Sequence, residues 1–247
     1  MIETIDIKIN KTPVSRIQSV DFNKLSFGNV FSDHMFVADY ADGEWKNFQI
    51  IPYGDMAFSP AMASLHYGQS IFEGMKAFRQ KDDQIAVFRP LKNLERLNIS
   101  AERLCMPTIP EEIFMQGLTK LIDLDRQWAP TGEGQSLYIR PLMFATDNIL
   151  GVHPSDSYKF IIMTGPVGAY YSKNLKVKIE LHYSRADEGG VGYAKTAGNY
   201  ARSLYPTHLA NKEGYDQLIW TDSKTHSYIE EAGTANVMFV INNVLIT

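Results

Sequence analysis

Gly189-Gly190-Val191-Gly192-Tyr193-Ala194-Lys195-Thr196-Ala197-Gly198-Asn199-Tyr200 is the stretch that decides how this chain reads. Glycines let the backbone adopt positive φ and come close to a ligand. Tyrosines bring an apolar face with a polar tip. Burial among such groups disfavours the ammonium form of a lysine. A neutral lysine amine is a nucleophile that forms Schiff bases with carbonyls, pyridoxal phosphate included. Lys195 is therefore a candidate catalytic residue.

The rest of the chain sets the bounds. Its 247 residues suffice for one large domain or two ordinary ones. Hydrophobic residues make up 45% and charged residues 21%, which is average globular usage. A net charge of −4 gives no electrostatic footprint for nucleic acid. The longest apolar runs, such as Phe160-Ile161-Ile162-Met163, fall far short of the ~20 residues of a membrane helix. The N-terminal residues lack a signal-peptide pattern. A single cysteine, Cys105, rules out an intrachain disulfide and fits a reduced, cytoplasmic setting. The expected role of Cys105 is that of a small buried hydrophobe. His34, His66 and His153 show no metal-ligand spacing, so no metal site is expected and the six histidines read as structural. Residues 236–247 read as strand, Asn242-Asn243 turn, strand. The chain then stops inside an apolar strand, and the expectation is that it is the front part of a longer protein.

Strands are expected near Met35–Ala38, Ile85–Phe88, Leu137–Phe144, Tyr158–Thr164, Val177–Leu181 and Gln217–Trp220. Leu91, Leu94, Leu97, Ala101 and Leu104 recur at helical spacing and predict a helix over 91–105, stopped by Pro107. Pro110 suits the start of a second helix, which carries Ile113, Phe114, Leu118, Leu121 and Ile122 on one face and ends near Trp128. Gly165-Pro166-Val167-Gly168 is expected to break the strand pattern, and 169–176 to link two domains, 1–168 and 177–247. A helix over 199–211 is expected to be interrupted or kinked at Pro206. Strands often follow one another directly, which favours an α+β fold.

A second constellation is Tyr228-Ile229-Glu230-Glu231-Ala232-Gly233-Thr234-Ala235-Asn236. In a strand, adjacent carboxylates point to opposite faces. One can face solvent while the other faces a pocket, where it needs a cationic or hydrogen-bonding partner. A protonated pyridine nitrogen is such a partner, and its proton makes the ring a better electron sink.

Taken in order, several segments together resemble the branched-chain amino acid aminotransferases of the fold-type IV (class IV) pyridoxal phosphate enzymes. They are Phe27–Met35, Leu65–Phe78, Ser136–Pro141, Gly165–Tyr171, the lysine stretch and Glu231–Asn236. The resemblance implies a two-domain α+β fold, D-amino acid aminotransferase-like, with the second domain incomplete in this chain. It also implies a cofactor held between the domains and a homodimeric enzyme. Lys195 would carry the Schiff base, Glu231 meet the pyridine nitrogen, Tyr200 bond the phenolic oxygen and Arg96 contact the phosphate. Phe27, Tyr67, Phe72, Tyr138, Tyr170 and Thr234 would line the pocket, Thr234 also touching the cofactor. Leu150 and Val152 would reach the partner subunit's pocket, and Arg140 would receive the side-chain carboxylate of glutamate. The implied reaction is ping-pong transamination of L-leucine, L-isoleucine and L-valine with 2-oxoglutarate. The residues do not include the family's later Gly-rich phosphate segment or its carboxylate-binding loop, and weak or absent cofactor binding and no activity are expected of 1–247 alone.

Plainer readings stand beside these. Lys195 alone in a Gly-rich loop reads as a surface residue, and Glu230 keeps the reading of a solvated strand residue. Tyr67, Phe72 and Tyr138 also suit core aromatics. Arg96 has Glu95 and Glu102 nearby in sequence, and Arg140 suits a structural ion pair. A D-amino acid aminotransferase, an aminodeoxychorismate lyase and an inactive truncated homologue are the alternative functions.

Overall fold

The computed structural model describes residues 4–169 and 174–247. Contacts divide the chain into two compact units. One is Met1–Tyr170 with Ala194–Thr196, and the other is Tyr171–Tyr193 with Ala197–Thr247.

The N-terminal unit holds strands β1 (Lys8–Ile9), β2 (His34–Ala41), β3 (Glu44–Pro52), β4 (Ser70–Phe72), β5 (Met75–Arg79), β6 (Ile85–Val87), β7 (Ser136–Ala145) and β8 (Tyr158–Val167). Its helices are the short α1 (Ala63–His66), α2 (Pro90–Arg103) and α3 (Glu111–Leu124). The sheet order is β1-β3-β2-β8-β7-β5-β6, with β4 also paired to β7. In this sheet, among the described residues, the β1–β3 pair is parallel and the others are antiparallel.

Helices α2 and α3 form where the apolar spacing predicts. Pro90 opens α2, and Leu94, Leu97 and Ala101 are its buried apolar face. Glu111 and Glu112 sit in the first turn of α3, where they complement the helix dipole. The buried face of α3 meets Phe36 and Phe160 of the sheet. A Cβ on Gly117 would come within 2.7 Å of the Phe36 ring, so the glycine permits this close packing. The second predicted helix stops at Leu124; a separate 3-10 turn, Arg126–Trp128, follows.

Two strand findings differ from expectation. Strand β3 escapes the period-2 pattern because Asn47, at φ 56°, interrupts the alternation where the β2–β3 register shifts. Strand β8 continues through Gly165-Pro166-Val167 to its end. The β2–β8 ladder ends at Met35↔Met163, so Pro166 pairs only with Leu137 of β7 and leaves no neighbour wanting its missing N–H. A Cβ on Gly165 would meet the Val30 carbonyl oxygen at 2.1 Å, which accounts for the glycine. Pro141 sits inside β7, opposite the break between β4 and β5.

Buried polar groups are knitted together. Thr12 N–H donates to His34 Nε2 at 2.9 Å, so Nδ1 carries the proton and donates to Asp125 Oδ1 at 2.6 Å. Burial pushes the Asp125 carboxyl up, opposed by its hydrogen bonds from His34. Burial also acts to raise Asp33. The Arg16 backbone N–H, the Ser15 hydroxyl, the Trp128 indole and the Arg16 charge outweigh it and hold that carboxyl below its usual range.

Cys105 is exposed rather than buried. It follows α2 with φ 54°, and Met106 occupies the buried position instead.

The C-terminal unit contains β9 (Val177–Glu180), α4 (Ala197–Lys212), β10 (Gln217–Thr221), β11 (Ile229–Ala232), β12 (Phe239–Ile241) and β13 (Val244–Ile246). Strand β10 lies between parallel β9 and antiparallel β11. Ala210, Leu218 and Trp220 form its small core. Helix α4 runs unbroken from Ala197 to Lys212 with Pro206 inside it. Asn242 and Asn243 both take positive φ in the β12–β13 hairpin, as a two-residue Asn-Asn turn requires.

Candidate active site

In the N-terminal unit, Lys195 is held by its backbone on both sides. Its N–H donates to Ser100 Oγ at 2.8 Å, and its carbonyl accepts from the Phe72 N–H at 3.2 Å. Thr196 bridges Ile71 of β4. The Ser100 hydroxyl, fully buried on α2, donates in turn to the Arg96 carbonyl at 2.9 Å. One turn of α2 thus fixes both the lysine backbone and the arginine. The half-buried Lys195 side chain places Nζ 4.9 Å from the Phe72 ring centroid, a cation–π distance.

Arg96 pairs with Glu73, not with its sequence neighbours Glu95 and Glu102 as the plainer reading has it. Its Nε donates to Oε1 at 2.5 Å and its Nη2 to Oε2 at 2.8 Å, a bidentate contact. Glu73 Oε2 also accepts from Asn93 Nδ2 at 2.9 Å and from the Gly74 N–H at 3.1 Å. Glu73 occupies the break between β4 and β5, where its own N–H donates to the Pro141 carbonyl at 2.9 Å. The carboxylate is fully buried while the arginine side chain is 51% exposed.

Arg140 projects from β7 against two rings. Its guanidinium carbon lies 4.6 Å from the Phe72 centroid and 5.3 Å from that of Tyr138. Its Nη2 donates to the Tyr138 hydroxyl oxygen at 2.8 Å. Phe27 meets Tyr138 edge-on at 4.8 Å. Phe27, Tyr138 and Arg140 line a cavity of about 220 Å³ with Phe31 and Met163. A Cβ on Gly74 would strike the Tyr138 hydroxyl at 2.4 Å, so that glycine makes room for the tyrosine. Phe27, Phe72, Tyr138, Arg140 and Lys195 are therefore linked by successive ring and cation contacts.

Tyr67 and Val152 line a different cavity, with Arg103, Cys105 and His153. Leu150 and Val152 are exposed, the latter at 88%. Tyr170 lies outside the described residues.

Within the C-terminal unit, Glu231 sits on β11 opposite Trp220 and is partly covered, while Glu230 is exposed. Arg185, nearly fully buried, brings Nε to 3.7 Å from Glu231 Oε1 and its guanidinium carbon to 5.3 Å from the Tyr200 ring centroid. Among the described residues, Arg185 Nη1 is buried without a hydrogen-bond partner. Asn199 Nδ2 donates to the Val191 carbonyl at 2.7 Å and ties the Gly-rich loop to the start of α4. Thr234 Oγ1 accepts from Gln217 Nε2 at 2.6 Å.

Sequence reading misses Glu73, Asn93, Ser100 and Arg185. Their partners are long-range, which local spacing does not reveal. One signal was available: Ser100 follows Arg96 by four residues and so shares its helix face. No group of three or more His, Cys, Asp or Glu is arranged to hold a metal ion among the described residues. No helix among them is long and apolar enough to cross a membrane.

Residues 70–247 match the family described as Amino-transferase class IV, and the chain belongs to that family. Its α+β architecture is that of the fold-type IV aminotransferases. Branched-chain-amino-acid aminotransferase 2 of Bacillus subtilis (strain 168) is 47% identical over 249 residues, covering 99% of this chain and 68% of that protein. A probable branched-chain-amino-acid aminotransferase of Staphylococcus aureus (strain MRSA252) is 50% identical over 232 residues, covering 92% and 64%. Among solved structures, the Escherichia coli branched-chain amino acid aminotransferase matches with TM-score 0.69 at 28% identity, covering 86% of this chain and 66% of its own. A T.th. branched-chain amino acid aminotransferase with pyridoxamine 5'-phosphate matches with TM-score 0.67 at 26% identity, covering 84% and 66%. The chain thus spans about two thirds of the length of these relatives.

Proposed function

We propose that this chain belongs to a branched-chain-amino-acid transaminase. It would use pyridoxal 5'-phosphate to pass the amino group of L-leucine, L-isoleucine and L-valine to 2-oxoglutarate, yielding branched 2-oxo acids and L-glutamate. The observation that carries this reading is Lys195, whose backbone is hydrogen-bonded on both sides and whose amine lies against Phe72. The names of the relatives and the pyridoxamine 5'-phosphate bound by the T.th. enzyme support it.

The donor set suits the cofactor. An amine, a half-covered carboxylate, a phenol and a guanidinium match its aldehyde, ring nitrogen, phenolic oxygen and phosphate. The buried, unpartnered Nη1 of Arg185 beside Glu231 and Tyr200 is a further cationic donor on that side. When bound, the cofactor supplies an electron sink for the carbanion at the substrate α-carbon. Lys195 Nζ takes the α-proton and returns it as general base and acid. Glu231 holds the proton on the ring nitrogen, and Tyr200 and Thr234 hydrogen-bond the cofactor. Arg96 offers its planar donors to the phosphate.

Phe27, Phe72 and Tyr138 would bury the branched side chain, at about 0.8 kcal/mol per methylene, and the resemblance adds Tyr67 and Tyr170. Arg140 receives the side-chain carboxylate of glutamate, and Leu150 and Val152 reach the pocket of the partner in a homodimer. The amino group stays on the enzyme between half-reactions, so kinetics are ping-pong. Residues 169–176 join an N-terminal domain, 1–168, to the cofactor domain beginning at 177. The setting is cytoplasmic.

Turnover of L-leucine and of D-alanine by the full-length protein tests the reading. L-Leucine with 2-oxoglutarate should be converted and D-alanine ignored. Use of D-alanine without L-leucine overturns it.

A further inference from the structure

Arg96 has a buried counter-charge that the proposed reaction does not use. Glu73 is fully buried, binds two guanidinium nitrogens at 2.5 and 2.8 Å, and is itself held by Asn93 Nδ2 and the Gly74 N–H. Removing a carboxylate from water is costly unless its lone pairs are filled, and here four donors fill them. The pair sums to zero formal charge, so Arg96 brings less Coulombic pull toward a phosphate than an isolated arginine. The bidentate contact instead fixes the plane of the guanidinium, because a fork bonded along one edge cannot rotate. Glu73 also has a rigid mount. Its N–H is bonded to the Pro141 carbonyl at the break between β4 and β5, next to Phe72, the ring under the Lys195 amine.

We infer that Glu73, held by Asn93, is a positioning residue that aims Arg96 at the cofactor's phosphate and makes the site selective for the phosphorylated form of the cofactor. This rests on the proposed role of Arg96. Glu73 touches neither substrate nor cofactor; it acts through the arginine. Its oxygen atoms are all engaged by Arg96, Asn93 and Gly74, which leaves it no part in proton transfer.

The test compares the affinity of the full-length apoprotein for pyridoxal phosphate with that for pyridoxal, which lacks the phosphate, read by protein fluorescence quenching. Glu73→Gln should weaken pyridoxal phosphate binding about tenfold, equivalent to ~1.4 kcal/mol, and leave pyridoxal binding within about twofold. Asn93→Ala keeps the Glu73–Arg96 pair but removes one support, and should show a smaller loss in the same direction. This second variant serves if Glu73→Gln does not fold. Equal weakening toward both ligands in the variants marks a merely structural role and overturns the inference, as does unchanged selectivity. A wild-type protein that binds neither ligand sinks the transaminase reading itself, which is a separate outcome.

Discussion

Replacing Ser100 with alanine should loosen Lys195 without touching its side chain. The Ser100 hydroxyl is fully buried, accepts from the Lys195 N–H at 2.8 Å and donates to the Arg96 carbonyl at 2.9 Å. Alanine leaves the lysine N–H without this acceptor, at a cost of about 1–3 kcal/mol. Alanine's better helix propensity returns a few tenths of a kcal/mol. The net loss of roughly 1–2.5 kcal/mol corresponds to a fall in Tm of about 2–10 °C for a unit of about 150–250 residues. Catalysis should suffer more, because a misplacement of about 1 Å can cost on the order of 100-fold in rate. Differential scanning calorimetry and steady-state transamination kinetics read the two effects. We expect kcat to drop at least about tenfold with KM for leucine little changed. An unchanged Tm together with unchanged kcat would refute the idea that α2 positions the lysine.

Two pH effects follow from buried acids. The Asp33 carboxyl is held below its usual range, so it contributes stability above the unfolded value of about 3.9 that is lost as pH falls through its folded value. Asp33→Asn should flatten the acid limb of a urea-stability profile, and a limb as steep as in the unaltered protein contradicts this. Burial, with the Asp147 charge second, pushes the Tyr158 phenol up to about 12. Its neutral form is favoured in the folded state, so its contribution is complete below about pH 10 and is lost as pH rises toward its folded value. Tyr158→Phe should remove one late-titrating phenolate from the ultraviolet absorbance titration; loss of one that titrates near pH 10 would contradict the burial argument.

Local pattern carried the elements whose environment is uniform along their length. Leu94, Leu97 and Ala101 read as a helix face because one face of α2 is buried throughout. Asn242-Asn243 read as a turn because the hairpin needs two positive φ values. Pattern failed where a neighbour changes partway. Strand β3 is broken in rhythm by Asn47, and the tail of β8 tolerates Pro166 because β2 has already left. Cys105 misled because a left-handed turn after α2 hands its buried place to Met106. Lys195 and Glu231 stand out in the sequence by chemistry and order, and the roles proposed for them rest on that. Glu73, Ser100 and Arg185 do not stand out, since a buried charge or hydroxyl reveals its meaning only through a partner brought close by folding. For Glu73 that partner is 23 residues away, and for Ser100 it is 95.

The central claim is that Lys195 is the residue that holds the cofactor. Borohydride reduction of the full-length protein with pyridoxal phosphate, followed by proteolysis and peptide mass analysis, tests it directly. The account predicts a single cofactor-modified peptide carrying Lys195, absent from Lys195→Ala. Modification centred on another lysine, or none in a protein that still transaminates L-leucine, would contradict it.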